Sequence, residues 1–315
     1  MTLISFLKFV EIQTKVASVI PFAIGTLYAV YRYGSFKSSN FIIMFISLIC
    51  FDMATTAINN YIDFKKAIKK EGFGYEHHNA MVKHGIREKT ALGIIFTLIT
   101  VASTLGLILT VRTSTVVLLI GMLSFAVGIF YTFGPLPISR MPLGEAFSGF
   151  FMGFIILFLA IFIHVYDKNI ASLTYSYDIL SLNINILEIF RIFLISIPTV
   201  GAIANIMLAN NTCDLEDDIA NQRFTLVYYI GKKNSLKLFA FLYYIGYAAI
   251  IAAVILRIAP LTLLLALLTL IPVYKNIKTF RSKPVKAETF ILSVKNMVLM
   301  NVGQVIALAI ALVFK

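Results

Sequence analysis

Nine apolar stretches, each long enough or nearly long enough to cross a lipid bilayer, restrict what this chain can fold into. They cover residues 11–32, 41–61, 90–111, 114–133, 146–166, 189–210, 238–256, 258–274 and 296–314. A helix needs about 20 apolar residues to span the hydrocarbon, where every backbone polar group must find its partner within the structure. The eighth stretch is short and follows the seventh through a tight connection at 257–260. Composition agrees with a membrane setting: 59% of the residues are hydrophobic and 13% are charged. Soluble domains are roughly a quarter charged, and a soluble fold of this length could not cover so much apolar surface. The first stretch reads as a span and not as a signal peptide, because no small-residue cleavage site follows a short apolar core.

The expected fold is therefore an all-α membrane protein. It is a bundle of about nine transmembrane helices forming a single domain over 1–315. The connection 167–188, polar and rich in Asn and Ser, is expected to be a loop.

Net charge is +12, and its distribution reads as topology. With nine spans, all Lys and Arg fall on one side except Arg32, Lys37, Arg112, Lys168, Arg191, Arg257 and Lys315. The positive-inside rule puts the basic side, with the N-terminus, in the cytoplasm of a multi-pass cell-membrane protein. No basic patch is interleaved with exposed aromatics, which argues against nucleic acid, and no feature points to a protein partner. The two cysteines, Cys50 and Cys213, form no CxxC or Cys/His pattern, which excludes a disulfide scaffold and argues against zinc.

Acidic residues are rare here, 15 in all, and two short segments stand out. Asn59-Asn60-Tyr61-Ile62-Asp63 ends the second span, and Asn210-Asn211-Thr212-Cys213-Asp214 ends the sixth. Both read Asn-Asn-x-x-Asp and both face the same side. Positions i and i+4 share a helix face, which aligns Asn59 with Asp63 and Asn210 with Asp214 and Asp218. Asp52 and Thr56 extend the first ladder deeper. Acidic groups at membrane depth are functional candidates by default. Hard oxygen ligands in two clusters suit Mg2+, which prefers carboxylates combined with substrate phosphates. Carboxylates at helix C-termini also oppose the local dipole, so a bridging cation is expected. The alternative is that these are solvated loop residues and caps.

Basic residues nearby are candidate phosphate partners. Lys65, Lys66, Lys69 and Lys70 are explained by the positive-inside bias, whereas Arg223, Lys83 and Arg140 are stronger candidates. The connection from Gly134 to Glu145 holds three prolines and two glycines. It reads equally as a shaped wall, flanked by Tyr131 and Glu145, or as a tight interhelical turn. His77, His78 and His84 read as solvated.

These residues resemble the UbiA superfamily of intramembrane prenyltransferases. Asn59-Asn60-Tyr61-Ile62-Asp63 looks like its first aspartate-rich motif. Asp214-Leu-Glu-Asp-Asp218-Ile-Ala-Asn-Gln-Arg223-Phe-Thr225-Leu226 looks like its second, tail included. The Asn-Asn before Asp214, together with the Tyr-Thr-x-Gly-Pro and Leu-Gly-Glu145 segments, is most similar to the 1,4-dihydroxy-2-naphthoate polyprenyltransferases of menaquinone synthesis. This chain departs from the superfamily pattern at Asn60 and Ala67, where many members carry Asp.

The resemblance implies a central cavity opening to the cytoplasmic side, with Mg2+ held there by Asp63, Asp214 and Asp218 with help from Asn59 and Asn210. It implies a polyprenyl diphosphate and an aromatic acceptor as substrates, and membrane lipid around the chain. Arg223, with Lys83 or Arg140, would neutralise the leaving diphosphate, and Tyr61 or Tyr131 would face the allylic cation. Other acceptors of the superfamily, 4-hydroxybenzoate among them, remain open. A secondary transporter is the rival from another class, although transporter sites lie near the bilayer midplane on broken helices.

Overall fold

The structure is a computed structural model that describes residues 1–66, 80–132 and 137–314. Ala67, Lys69, Lys70, His77, His78, Gly134 and Pro135, all considered above, lie outside the described residues.

A short helix, α1 (Leu3–Phe9), opens the chain, with the Thr2 hydroxyl accepting the Ser5 N–H as its cap. Its Leu3 and Ile4 are exposed while Phe9 is buried. A 3-10 turn over Ile12–Lys15 leads into α2 (Val16–Tyr33). Then come α3 (Ser38–Lys66), α4 (Ala80–Lys83), α5 (Glu88–Arg112) and α6 (Thr115–Thr132). Next is α7 (Gly144–Val165), whose middle, Gly149–Ile155, is π-helical. A hairpin of β1 (Ala171–Ser176) and β2 (Ile179–Ile184) precedes α8 (Ile186–Cys213) and the short α9 (Leu215–Ala220). The chain ends with α10 (Leu226–Ile255), α11 (Leu261–Ser282) and α12 (Ile291–Val313).

Among the described residues, 8 helices are long and apolar enough to cross a membrane. They match eight of the nine expected stretches. The fourth, α6, is a shorter apolar helix.

The 167–188 connection is not the expected loop. β1 and β2 pair antiparallel, from Ala171 opposite Ile184 to Ser176 opposite Ile179. Tyr177 and Asp178 join them with positive φ at both positions, 47° and 63°. That is the two-residue turn whose twist matches antiparallel strands. Leu173 and Tyr175 alternate with Ser172, Thr174 and Ser176, a period of two that overall polarity conceals.

α8 is the central helix. In its apolar segment 72% of the residues are buried, against 17% for α3 and for α5. It packs on α7, α10 and α12, whereas α3 packs chiefly on α5. Contact between α7 and α8 depends on glycine: a Cβ on Gly153 would lie 2.6 Å from the Val200 Cα. Among the described residues, α3 and α8 share no extensive packing. The two helices that bear the Asn-Asn-x-x-Asp segments therefore belong to different packing groups. A second small core under the ends of α3 and α5 gathers Phe9, Val10, Ala54, Ala57, Met81 and Ile86. It ties α1 and α4 to the first motif's end of the bundle.

Candidate active site

The geometry at the end of α8 follows from the local sequence. The Asp214 N–H donates to the Asn210 carbonyl at 3.0 Å, closing α8. The chain turns at once into α9, where the Asp218 N–H donates to the Asp214 carbonyl at 2.8 Å. Gln222 then adopts a left-handed conformation, φ 55°, and reverses the chain. That reversal lets the Arg223 N–H donate to the Asp218 carbonyl at 2.8 Å and brings its guanidinium 3.3 Å from the Asp218 carboxylate. The i to i+5 spacing in the sequence is thus a local ion pair closed by one turn.

Each acid in this segment with a candidate role meets a cation. Arg223 serves Asp218, and the Lys286 ammonium bonds the Asp214 carboxylate from the connection before α12. Asp218 is buried, and loss of water pushes its carboxyl above the ordinary aspartate range, with Arg223 opposing the shift. Glu216 and Asp217 are exposed.

Glu145, at the start of α7, is buried and accepts a hydrogen bond from the Asn211 side-chain amide at 2.8 Å. It lies close enough to Asp218 for their charges to interact. Tyr131 lies near enough to Glu145 and Arg223 to feel their charges, and its hydroxyl donates to the Gly144 carbonyl at 3.4 Å. The proline-rich connection joins the same cluster through Ser139, whose carbonyl accepts from Arg223 at 3.5 Å. Tyr131, Glu145, Asn211, Asp214, Asp218, Arg223 and Lys286 therefore form one neighbourhood. Arg140 is exposed on the 3-10 turn Ile138–Arg140, and it is Ser139 from that turn that meets Arg223.

The first motif is built differently. Asp63 is exposed in the last turn of α3 and Asn59 is half-buried. Asn60 is buried and donates to the Phe9 carbonyl at 3.1 Å and to the Glu11 carboxylate at 3.2 Å. Asp52, expected to lengthen the ligand ladder, is engaged instead. Lys15 lies 2.6 Å from its carboxylate and bonds the Thr56 hydroxyl at 2.6 Å, while the Ser18 hydroxyl donates to the other Asp52 oxygen. An ionised acid at this depth needs such a partner. Lys83 is exposed at the end of α4.

The two motifs share a feature that spacing did not reveal. In each Asn-Asn pair, the second Asn is buried and bonds a glutamate that precedes an earlier helix or opens it: Asn60 with Glu11, Asn211 with Glu145. The sequence repeat thus records a repeated clamp, with the first Asn of each pair left less buried. Asn211 and Lys286 were missed as site residues. The doublet itself pointed to Asn211, but nothing local marks Lys286 among the other basic residues of its connection.

A divalent cation fits the donors present. Asp218 Oδ2, Glu145 Oε2 and Asn211 Oδ1 are buried and have no hydrogen-bond partner among the described residues. Buried oxygens left this way are costly, and they are the hard donors that Mg2+ or a water bound to it would use. Among the described residues, no group of three or more His, Cys, Asp or Glu forms a ready-made cage. That also suits Mg2+, which takes one or two carboxylates and completes its shell with water and phosphate.

Among the described residues, eight membrane-length helices and an ionic cluster at the end of the central one define a multi-pass membrane protein with a charged site beside lipid. The chain belongs to the UbiA prenyltransferase family, whose sequence profile matches residues 18–297, and it is a prenyltransferase. It is 31% identical over 246 residues to a 1,4-dihydroxy-2-naphthoate octaprenyltransferase of Bacillus subtilis, covering 77% of this chain and 71% of that protein. The fold is similar to the apo structure of a UbiA homologue from Aeropyrum pernix, with a TM-score of 0.67, 19% identity and coverage of 93% and 98%. It is also similar to a UbiA homologue from Archaeoglobus fulgidus bound to GPP and Mg2+, with a TM-score of 0.57, 12% identity and coverage of 98% of each chain.

Proposed function

We propose that this protein transfers a polyprenyl group from an isoprenoid diphosphate to 1,4-dihydroxy-2-naphthoate, giving the quinol form of demethylmenaquinone with release of CO2 and diphosphate. The observation that supports this reading is the neighbourhood of Glu145, Asn211, Asp218 and Arg223, where buried oxygens without hydrogen-bond partners among the described residues lie beside a cation. The naphthoate prenyltransferase relative supports the choice of acceptor. The structural neighbour bound to GPP and Mg2+ supports the metal.

Asp63, Asp214 and Asp218, with Asn59 and Asn210, would hold Mg2+, which supplies charge neutralisation for a departing diphosphate. Around it, this chain's residues have distinct tasks. Lys286 and Arg223 shield Asp214 and Asp218 from one another in the resting protein. When a diphosphate enters, both side chains can turn to its oxygens, so the site exchanges internal ion pairs for substrate contacts. Lys83 and Arg140, both exposed, add charge at the rim. The C–O bond of the allylic diphosphate breaks and its electron pair leaves with the diphosphate. The ring carbon bearing the acceptor's carboxylate forms the new C–C bond and expels CO2. Tyr131 and Tyr61 present aromatic faces to the cation. The substrate occupies the space between the α3 and α8 groups, and that cavity opens to the cytoplasmic side of the cell membrane, where the positive-inside bias places both motifs.

The test is purified protein with Mg2+, a farnesyl or longer diphosphate, and a panel of aromatic acids, with products read by mass spectrometry. The expected product is the prenylated naphthoquinol lacking the carboxylate. Prenylation of 4-hydroxybenzoate alone would overturn the acceptor assignment, and no prenylation of any acid would overturn aromatic transfer.

A further inference from the structure

A second charged feature shares no residue with the acidic cluster. Between α10 and α11 is a cavity of about 400 Å³ lined by Lys233, Lys237, Lys278 and Arg281 at one end and by Tyr244 and Tyr274 at the other. Leu236 and Ile277 form its apolar floor. No carboxylate lines it, and among the described residues none of the four cations takes part in an ion pair. Four uncompensated positive charges around one cavity repel each other, so the arrangement favours an anion.

The spacing indicates what kind of anion. Lys233 and Lys237 are four apart on α10, and Lys278 and Arg281 are three apart on α11, so each pair shares a helix face. Tyr244 lies seven residues beyond Lys237, and Tyr274 seven before Arg281. At 1.5 Å per residue, Tyr244 sits about 10 Å deeper than Lys237, and Tyr274 about 10 Å deeper than Arg281. Beyond them the two helices present apolar surface: Ile251 is 41% exposed and Ile271 65%. A cationic rim, an aromatic belt and an apolar slope match the polarity profile of one phospholipid, from phosphate through glycerol to acyl chain. A free phosphate would use only the rim.

We infer that the α10–α11 cavity is a binding site for an anionic phospholipid, seated by its phosphate on Lys233, Lys237, Lys278 and Arg281 with its chains along Tyr244 and Tyr274. The site is separate from the cluster at Asp218 and does not depend on which acceptor that cluster serves.

The experiment is native mass spectrometry of the detergent-solubilised full chain, titrated with dioleoyl phosphatidylglycerol or dioleoyl phosphatidylcholine. The wild type is expected to retain the phosphatidylglycerol preferentially. Lys237→Gln combined with Arg281→Gln is expected to weaken that retention on the order of tenfold or more. The control pair Lys8→Gln with Lys89→Gln removes the same charge outside the cavity and is expected to leave retention unchanged. Equal retention of the two lipids, or equal weakening by the control pair, would overturn the site in favour of general surface potential. Displacement of the lipid by farnesyl diphosphate or by inorganic phosphate at equal concentration would assign the cavity to substrate or to free phosphate instead. As a readout that needs no variant, a photoactivatable phosphatidylglycerol on the wild type should label peptides containing Tyr244 or Tyr274. Labelling confined to other helices would refute the placement.

Discussion

The buried pair of Lys15 and Asp52 offers the sharpest test of how the first motif is organised. The two charges lie 2.6 Å apart, with side chains only 4% and 14% exposed. At an effective dielectric near 20, their attraction is about 6 kcal/mol, and desolvation of both groups offsets much of it. Lys15 also bonds the Asp52 carbonyl at 2.9 Å and the Thr56 hydroxyl at 2.6 Å, so its loss strands several acceptors at once. Lys15→Met should therefore destabilise the protein by about 3–5 kcal/mol, because it leaves an uncompensated buried carboxylate. Adding Asp52→Asn removes that charge while keeping an acceptor for Ser18, and should recover more than half of the loss. The assay is reversible SDS unfolding in mixed micelles, followed by circular dichroism, across all four members of the cycle. If Asp52 is structural, the double variant should also keep prenyl transfer within about threefold. A Lys15→Met protein as stable as the wild type, or a double variant that is stable but has lost transfer a hundredfold, would refute the reasoning and return Asp52 to the ligand ladder.

Asp63→Ala and Asp214→Ala should each abolish prenyl transfer while the proteins still purify as monodisperse species, as read by product mass spectrometry and gel filtration. Chelation with EDTA should stop turnover, and added Mg2+ should restore it; turnover that persists after thorough chelation contradicts a metal role. Asn211→Ala should lower transfer by about 10²-fold or more, as expected for loss of one preorganised contact in a water-poor site, and Asn60→Ala should act mainly on stability in a thermal melt. Gly153→Leu should fail to accumulate in membranes, since even a Cβ would stand 2.6 Å from the Val200 Cα and that atom belongs to backbone.

What could be read without coordinates was set by the solvent. A bilayer demands long apolar helices, so the spans are written in hydropathy, and among the described residues eight of the expected nine reach membrane length. Asp214, Asp218 and Arg223 were legible because their contact is local, closed by one turn within ten residues. The hairpin over Ala171–Ile184 was hidden because its alternation runs through Ser, Thr and Asn, which look like a loop by composition.

The sequence alone determined the membrane class and the acidic helix ends, because these depend on composition, period and short-range spacing. Tertiary structure decided the partners. Lys286 on Asp214, Asn211 on Glu145, Lys15 on Asp52 and the facing cations of α10 and α11 each join residues far apart in the chain. Such contacts depend on which helices pack side by side and in what rotation, and no local pattern encodes that.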